Sequence, residues 1–155
     1  FKATWQAMES LYTSGKIKTL GISNFEPSQI EELKSFATIM PAVNQIESHA
    51  FFQETTALSN LKNQRIQMEA WAPFAEGRNG LFTNEVLSAI GKKHHKTTAQ
   101  VSLRWHFQRG VISIPRTSKK EHMEENLNIF DFELSKDDMA TISNLDLNKT
   151  QFPEW

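Results

Sequence analysis

Polar and aromatic side chains follow four successive apolar segments of the sequence, near the point where each segment ends. They are Ser23 and Asn24, Gln45 and Glu47, Trp71, and Arg116 and Thr117. Amide and hydroxyl groups can bracket a carboxamide, an indole offers a stacking face, and a guanidinium can bind a phosphate. The set therefore predicts binding of a flat, amide-bearing ring that carries an anionic tail.

Each of these residues also has a purely structural explanation. A Ser-Asn pair after a strand is common in turns, Gln45 could lie on a solvent face, and a single Trp such as Trp71 usually lies in a core or an interface. Residues 118–121 form a helix-capping pattern that begins with Ser118, and residues 135–138 form a similar one that begins with Ser135. Arg116 could be a surface residue beside the first pattern. The N-terminus of that helix could instead complete a phosphate site with Arg116.

The spacing of apolar residues predicts four short strands separated by helices. The predicted strands are residues 17–22, 42–47, 67–72 and 111–114, and the predicted helices are residues 4–14, 84–93, 98–109, a weaker one at 54–63, and segments that begin at Pro27, Ser118 and Ser135. Gly15 and Gly110 are expected to end the helices before them. A loop is expected from Pro73 to about Thr83.

The helical spacing also predicts which side chains face the interior. These are Trp5, Met8, Leu11 and Tyr12 in the first helix, Ile30, Leu33 and Ala37 in the second, Met123 and Leu127 in the helix after Ser118, and Met139, Ile142 and Leu145 in the last. Val43, Ile46, Met68 and Ile112 are the corresponding candidates in the strands.

Strands that alternate with helices predict an α/β fold with a parallel sheet and right-handed crossovers. Ligands of such folds bind at the carboxyl ends of the strands, where the polar residues above are expected. The pattern is compatible with two architectures, a doubly wound sheet or part of a (β/α)8 barrel. A complete barrel takes about 250 residues, so a chain of 155 residues is too short for one.

The composition narrows the function classes. The chain has 17 basic and 18 acidic residues, which argues against a nucleic-acid binder or a membrane-surface protein. It has no cysteine, which excludes disulfides, Cys-ligated zinc and thiol catalysis, and no apolar run reaches the length of a membrane span. A cytoplasmic location is expected. The first residue is Phe1, inside a predicted helix, which suggests a piece of a longer protein.

Order and spacing of several segments resemble the C-terminal half of the aldo-keto reductases. The segments are residues 21–25 (GISNF), 43–47 (VNQIE), 69–74 (EAWAPF), 114–117 (IPRT) through Glu125 and Asn126, and 130–132 (FDF). Trp71 stands where other branches have Tyr, so the sequence is most similar to the bacterial branch that reduces small carbonyl compounds. The resemblance implies strands five to eight of a (β/α)8 TIM barrel, with their helices, over residues 1–155.

The resemblance also implies a role for each matching residue in binding NADPH. Ser23, Asn24 and Gln45 would hold the nicotinamide carboxamide, Trp71 would stack on the nicotinamide ring, and residues 72–82, with Ala72 and Phe74, would cover the pyrophosphate. Arg116, Thr117 and Ser118 would contact the 2′-phosphate with His122, and Glu125 and Asn126 would contact the adenine. The family usually has Lys at Arg116 and often Arg at His122. NADH is the less expected cofactor.

The catalytic Asp, Tyr, Lys and His of the family lie in its N-terminal half, and no motif in this sequence matches theirs. The one tyrosine, Tyr12, and the histidines at positions 49, 94, 95, 106 and 122 lie elsewhere. No catalytic residue and no metal site are therefore expected here, and His94-His95 is interpreted as a solvated helix end.

Two interpretations of function follow. In the first, the chain is the cofactor-binding part of an NADPH-dependent reductase of a small carbonyl substrate, inactive by itself. In the second, it is a non-catalytic α/β module that binds a nucleotide or a partner. Open strand edges at residues 17–22 and 111–114 predict self-association or pairing with the missing N-terminal half.

Overall fold

The computed structural model describes residues 1–154. Helices and strands alternate along the chain in the order α1 (Lys2–Thr13), β1 (Gly21–Ser23), α2 (Pro27–Lys34), β2 (Val43–Glu47), α3 (Thr55–Asn63), β3 (Gln67–Trp71), a 3₁₀ segment (Ala75–Thr83), α4 (Glu85–His94), α5 (Thr98–Arg109), β4 (Ile112–Ser113), α6 (Lys120–Leu127) and α7 (Lys136–Ser143). The predicted alternation of strands and helices is confirmed.

The four strands follow one another across a single sheet in the order β1-β2-β3-β4. β1 and β2 are parallel, with Ser23 paired to Gln45. The amide of Ile114 donates to the carbonyl of Ala70 at 3.3 Å, which joins the chain after β4 to β3. The helices between successive strands are the crossovers that parallel pairing requires.

The first strand begins at Gly21 rather than at residue 17, and the last begins at Ile112 rather than at residue 111. The amide of Lys16 donates to Leu11 at 3.1 Å and the amide of Val111 donates to His106 at 2.9 Å. Both bonds close the C-terminus of a helix after a glycine in the left-handed region, Gly15 or Gly110. Residues 15–16 and 110–111 therefore belong to helix ends and not to the sheet.

The chain divides into two compact units, one of residues 1–46 and 55–69 and the other of residues 47–54 and 70–154. In the first unit Trp5, Ile30 and Leu33 are buried as predicted. Leu11 and Tyr12 are 42% and 40% exposed, so the predicted α1 face is wrong at those positions.

An acidic residue, Glu9, is buried on α1, whereas Leu11 and Tyr12 are exposed. The Glu9 carboxylate accepts hydrogen bonds from the amides of Thr38 and Ile39 at 2.7 and 2.8 Å and from the Thr38 hydroxyl. The backbone bond from Ile39 is the largest influence on the Glu9 pKa, and with the Thr38 bonds it outweighs partial burial and lowers that pKa. These hydrogen bonds fix this side of the helix against residues 38 and 39.

The core of the second unit joins α4, α5 and α7. Its fully buried members include Leu87, Val101, Trp105, Leu134 and Ile142. Ile142 is the buried residue of α7, and Met139 and Leu145 pack partly buried against the same core, as the helical spacing predicted.

The caps of α6 and α7 differ. Ser135 caps α7 through a capping box with Asp138, as predicted. The predicted box at Ser118 is wrong, because α6 begins at Lys120 after Lys119, which makes no side-chain cap. The predicted buried face of α6 is also wrong, since Met123 and Leu127 are 52% and 73% exposed.

The strand positions follow the prediction only in part. Ile46 and Met68 are buried, whereas Ile112 is 49% exposed and does not face an interior within the described residues. Within residues 1–154, every helix is either too short or too polar to cross a membrane.

Candidate functional site

The end of β1 carries the first group of predicted site residues, all within the first unit. The Ser23 hydroxyl and the backbone amide of Asn24 both donate to the backbone carbonyl of Gln45, each at 2.9 Å. Asn24 has a φ of +55°, the left-handed region that asparagine tolerates better than most residues. The structural expectation of a turn is therefore correct, and the turn leaves both side chains exposed.

Asn44 holds that turn in place and was missed by sequence reasoning. Its Nδ2 donates to the carbonyl of Phe25 at 2.9 Å, and the amide of Phe25 donates to Oδ1 at 3.4 Å. Asn44 is 1% exposed, and a buried amide needs such partners. The available signal was its place in β2, on the face opposite Gln45.

Gln45 lies half-buried in β2 beside an acid of β3. Its Nε2 donates to the Glu69 carboxylate at 2.6 Å. This bond orients the side-chain amide, because its NH₂ group must face the carboxylate. The first unit thus presents a hydroxyl and two amides on adjacent strand ends.

Trp71 ends β3 and is half-buried. Its indole meets the ring of Phe152 edge-on, with centroids 5.1 Å apart. The chain then turns sharply, since Ala72 has a φ of +47° and its carbonyl accepts from the amide of Ala75 at 2.7 Å.

A cavity of about 290 Å³ in the second unit gathers half of the predicted site residues. Its lining consists of Phe74, Phe82, Thr97, Thr98, Ala99, Arg116, Thr117, His122, Glu125 and Asn126. The lining includes a guanidinium, hydroxyls and an imidazole, together with the Phe74 and Phe82 rings, whose centroids are 5.5 Å apart. Cationic and aromatic groups in one pocket suit a phosphorylated nucleoside.

A second cavity of about 410 Å³ adjoins the first, since Phe74, Phe82 and Arg116 line both. Ala72, Pro73, Glu76 and Ile114 complete its lining. The two cavities therefore follow the loop after Trp71. Trp71 itself and Ser118 line neither of them.

Thr117 explains why Ser118 fails as a cap. The Thr117 hydroxyl accepts a hydrogen bond from the amide of Lys119 at 3.1 Å. This local turn captures the backbone before the helix begins, so α6 starts one residue later than predicted. Ser118 is exposed outside the cavities.

The N-terminus of α5 is a second part of the cavity that sequence reasoning missed. Thr97 caps this helix in a capping box with Gln100, and Thr97, Thr98 and Ala99 form one wall. The signal was present in the sequence as a Thr followed three positions later by Gln, but its place beside Arg116 was not.

Glu47 and His49 form a buried pair at the end of β2. The His49 Nε2 lies 2.9 Å from the Glu47 carboxylate, which also accepts from the Thr150 hydroxyl and from the amide of Gln151 at 2.9 Å. Burial disfavours the charged carboxylate, but these hydrogen bonds outweigh it and lower the pKa of Glu47. Glu47 is therefore a structural anchor rather than a ligand-facing acid.

The histidines His94 of α4 and His106 of α5 are also structural. His94 lies 2.9 Å from the Asp138 carboxylate, so the interpretation as a solvated helix end is wrong for His94. His106 is fully buried, and burial lowers its pKa to about 3, with smaller contributions from the charges of Arg109 and His49. Among residues 1–154, three or more potential metal ligands nowhere form a cluster.

Comparison with known proteins finds one family model and several relatives that match nearly the whole sequence. A family model described as the aldo/keto reductase family matches residues 1–147. The chain is 45% identical over 153 residues to glyoxal reductase of Bacillus subtilis, covering 99% of this chain and 55% of that protein. It is 33% identical to methylglyoxal reductase of Escherichia coli K12, covering 97% and 54%. The chain spans about half the length of the curated relatives it matches.

Solved structures match equally well. An aldo-keto reductase from a Medee basin deep-sea metagenome library has a TM-score of 0.92 and 36% identity over 96% of this chain and 55% of that one. An aldo-keto reductase of the silkworm Bombyx mori, solved in complex with NADPH, has a TM-score of 0.89 and 33% identity over 95% and 48%. The expected fold, parallel strands alternating with helices as in the barrels of these neighbours, is confirmed.

Proposed function

Because the chain belongs to the aldo/keto reductase family, we propose that it is the cofactor-binding part of an oxidoreductase that reduces small aldehydes or ketones with NADPH. The cavity that gathers Arg116, Thr117, His122, Glu125 and Asn126 carries this proposal. Relatives named for glyoxal and methylglyoxal make small dicarbonyl compounds the substrates to test first.

The cavity residues divide into two roles. Arg116 is exposed, and a planar guanidinium can hold the 2′-phosphate of NADPH through two parallel hydrogen bonds. Thr117 and His122 add a hydroxyl and an imidazole beside it. Glu125 and Asn126, half-buried on α6, face the adenine in this proposal. We leave out Ser118, which lines neither cavity.

Two further groups of residues are proposed to bind the nicotinamide end of NADPH. Ser23, Asn24 and Gln45 offer the hydroxyl and amides that can pair with a carboxamide. Trp71 offers an aromatic face at the end of β3, and stacking there would fix which side of the nicotinamide ring meets the substrate. Ala72 and Phe74 begin the loop proposed to lie over the pyrophosphate.

Reduction also requires a proton. When bound, NADPH supplies the hydride for the carbonyl carbon, and a general acid for the oxygen contributes ~10²–10⁴-fold. The only tyrosine of the sequence, Tyr12, lies in α1 and is 40% exposed, and we assign it no role. We place the catalytic Asp, Tyr, Lys and His of the family outside this sequence, so that residues 1–155 form strands five to eight of the barrel.

The proposal includes a cytoplasmic location, and association with the missing half, or with a second copy, at the edge of β4. The Ile112 and Ile114 side chains are 49% and 42% exposed there. Apolar side chains on a strand edge favour pairing with another chain.

Turnover separates this proposal from a non-catalytic nucleotide-binding module. We expect the full-length protein to oxidise NADPH in the presence of methylglyoxal, and the 155-residue chain to bind NADPH, as measured by calorimetry, without turnover. Full-length protein that binds NADPH but reduces no carbonyl compound would favour the module. Protein-dependent NADPH oxidation by the 155-residue chain alone would contradict the absence of a catalytic acid.

A further inference from the structure

Part of the 3₁₀ segment after Trp71 has a backbone that its own residues do not favour. Ala75 and Glu76 have φ values of +50° and +52°, in the left-handed region that costs residues of these types free energy. Contacts from outside must therefore hold the segment in this shape. Ala75 and Leu81 pack in the core, and the Phe82 carbonyl accepts from the Thr98 hydroxyl. Arg78, between Glu76 and Asn79, adds contacts to residues near the end of the chain.

The hydrogen-bond partners of the Arg78 side chain and the aromatic ring it covers lie in residues 150–154, here named the tail. The Arg78 Nη1 donates to the carbonyl of Gln151 at 2.6 Å, and Nη2 donates to the Glu154 carboxylate. The guanidinium carbon lies 4.1 Å from the ring centroid of Phe152. The Asn79 amide donates to the side-chain oxygen of Gln151. One planar cation thus meets a carbonyl, a carboxylate and an aromatic face together.

The tail is fixed independently of Arg78. The buried Glu47 carboxylate accepts from the Thr150 hydroxyl and the Gln151 amide. Phe152 is 3% exposed and its ring meets the indole of Trp71. The tail is therefore a firm support, which the 3₁₀ segment reaches through Arg78.

The same 3₁₀ segment forms a wall of the candidate site. Glu76 and Phe82 line the 410 Å³ cavity, and Phe82 also lines the 290 Å³ cavity. Arg78 lies between these two residues in the sequence and points to the tail instead. Loss of its contacts would free the wall while the residues of the cavity stay unchanged.

We propose that Arg78 is a positioning residue that latches the 3₁₀ segment to the tail and thereby slows release of the nicotinamide cofactor. This inference rests on the proposed function, because it concerns the release of NADPH. Lysine could not replace Arg78, since an ammonium group cannot form the flat, two-pronged contact and cover the Phe152 ring as well.

The test uses the full-length protein and three substitutions. Arg78→Ala removes the latch, Arg78→Lys keeps the charge, and Glu154→Gln keeps the shape of the partner without its charge. Lys92→Ala is the control, since it removes one positive charge from an exposed position of α4. The NADPH dissociation rate is measured by stopped-flow displacement with excess NADP⁺, and hydrogen exchange of residues 75–83 is measured without cofactor.

We expect Arg78→Ala to release NADPH about three- to tenfold faster, Arg78→Lys to resemble it, and Lys92→Ala to match the wild type. The double variant with Glu154→Gln should be no faster than Arg78→Ala alone. Exchange of residues 75–83 should rise while the melting temperature changes little.

A wild-type dissociation rate in Arg78→Ala overturns the inference, as does an effect that adds fully to that of Glu154→Gln. Wild-type protein that binds no NADPH overturns the proposed function instead, and the release rate with it. If the wild-type protein binds no NADPH, the hydrogen exchange of residues 75–83 still tests the latch. Exchange as slow in Arg78→Ala as in the wild type would overturn the latch, and faster exchange would support it.

Discussion

The side-chain amide of Asn44 in β2 exchanges two hydrogen bonds with the backbone of Phe25, at 2.9 and 3.4 Å. Phe25 follows directly after Ser23 and Asn24, so a buried residue of one strand fixes the turn at the end of its neighbour. The side chains proposed to meet the nicotinamide carboxamide therefore depend on a residue that does not itself face the ligand.

Asn44→Ala should weaken both the fold and the cofactor site. It removes both of these hydrogen bonds from the backbone of the half-buried Phe25, which costs about 1 kcal/mol or more. We expect a lower free energy of unfolding in urea and a weaker NADPH affinity by calorimetry. Asn63→Ala, at the exposed end of α3, should change neither. Unchanged affinity in Asn44→Ala would show that the turn does not position the ligand.

Trp71 should report on cofactor binding through its fluorescence. If the nicotinamide stacks on the indole, NADPH quenches part of the tryptophan emission of the full-length protein, and Trp71→Phe removes that change while keeping an aromatic face. The other three tryptophans provide the background signal. A quench of equal size in Trp71→Phe would refute the assignment.

Arg116 should discriminate between the two nicotinamide cofactors. Only NADPH carries the 2′-phosphate, so Arg116→Ala should weaken NADPH by about tenfold or more and NADH by little. Arg116→Lys should fall between the wild type and Arg116→Ala. Lys136→Ala, an exposed position on α7, is the charge control. Equal losses of affinity for NADPH and NADH would leave Arg116 a structural role only.

His106 should make the fold sensitive to mild acid. Its pKa is lowered to about 3 by burial in α5, so below its ordinary value of 6.5 the unfolded chain binds a proton that the folded chain does not. Stability is therefore complete above pH 6.5 and declines as the pH falls toward 3. Urea unfolding of wild type should lose stability between pH 6.5 and 5, above the range in which carboxylates titrate.

This prediction is tested by how steeply the free energy of unfolding changes with pH, and not by its absolute value. His106→Asn removes the titrating group, so its unfolding free energy should change less over pH 6.5 to 5, even if it is lower throughout. His95→Asn, at an exposed left-handed position that Asn tolerates, should keep the wild-type slope. Parallel curves for His106→Asn and wild type would contradict the buried neutral histidine.

The β4 edge should drive association of the isolated chain. We expect the 155-residue chain to sediment as a dimer or larger species, and Ile112→Lys with Ile114→Lys to reduce it to a monomer, because lysine on an edge opposes strand pairing. Leu11→Lys, at an exposed apolar position of α1, is the control and should leave the dimer intact. A well-folded wild-type monomer at high concentration would contradict the prediction.

Features that depend on a few neighbouring residues could be read from the sequence. Pro27 at the first turn of α2, the capping box of Ser135 with Asp138 and the glycine stop at Gly110 were all predicted and are confirmed. Each is decided within about four positions by a fixed φ, a side-chain oxygen or a left-handed residue. The order of strands and helices follows from the same local signals.

Other features were decided only by the tertiary structure. Thr117 accepts from the Lys119 amide in a local turn, and α6 begins only at Lys120. The exposed Leu127 shows that an apolar helix position has no interior to face unless another element covers it. Glu9 lies buried where it accepts from the amides of Thr38 and Ile39, about 30 residues away. Such contacts depend on which groups the folded chain brings together. They cannot be predicted from the spacing of residues along one helix.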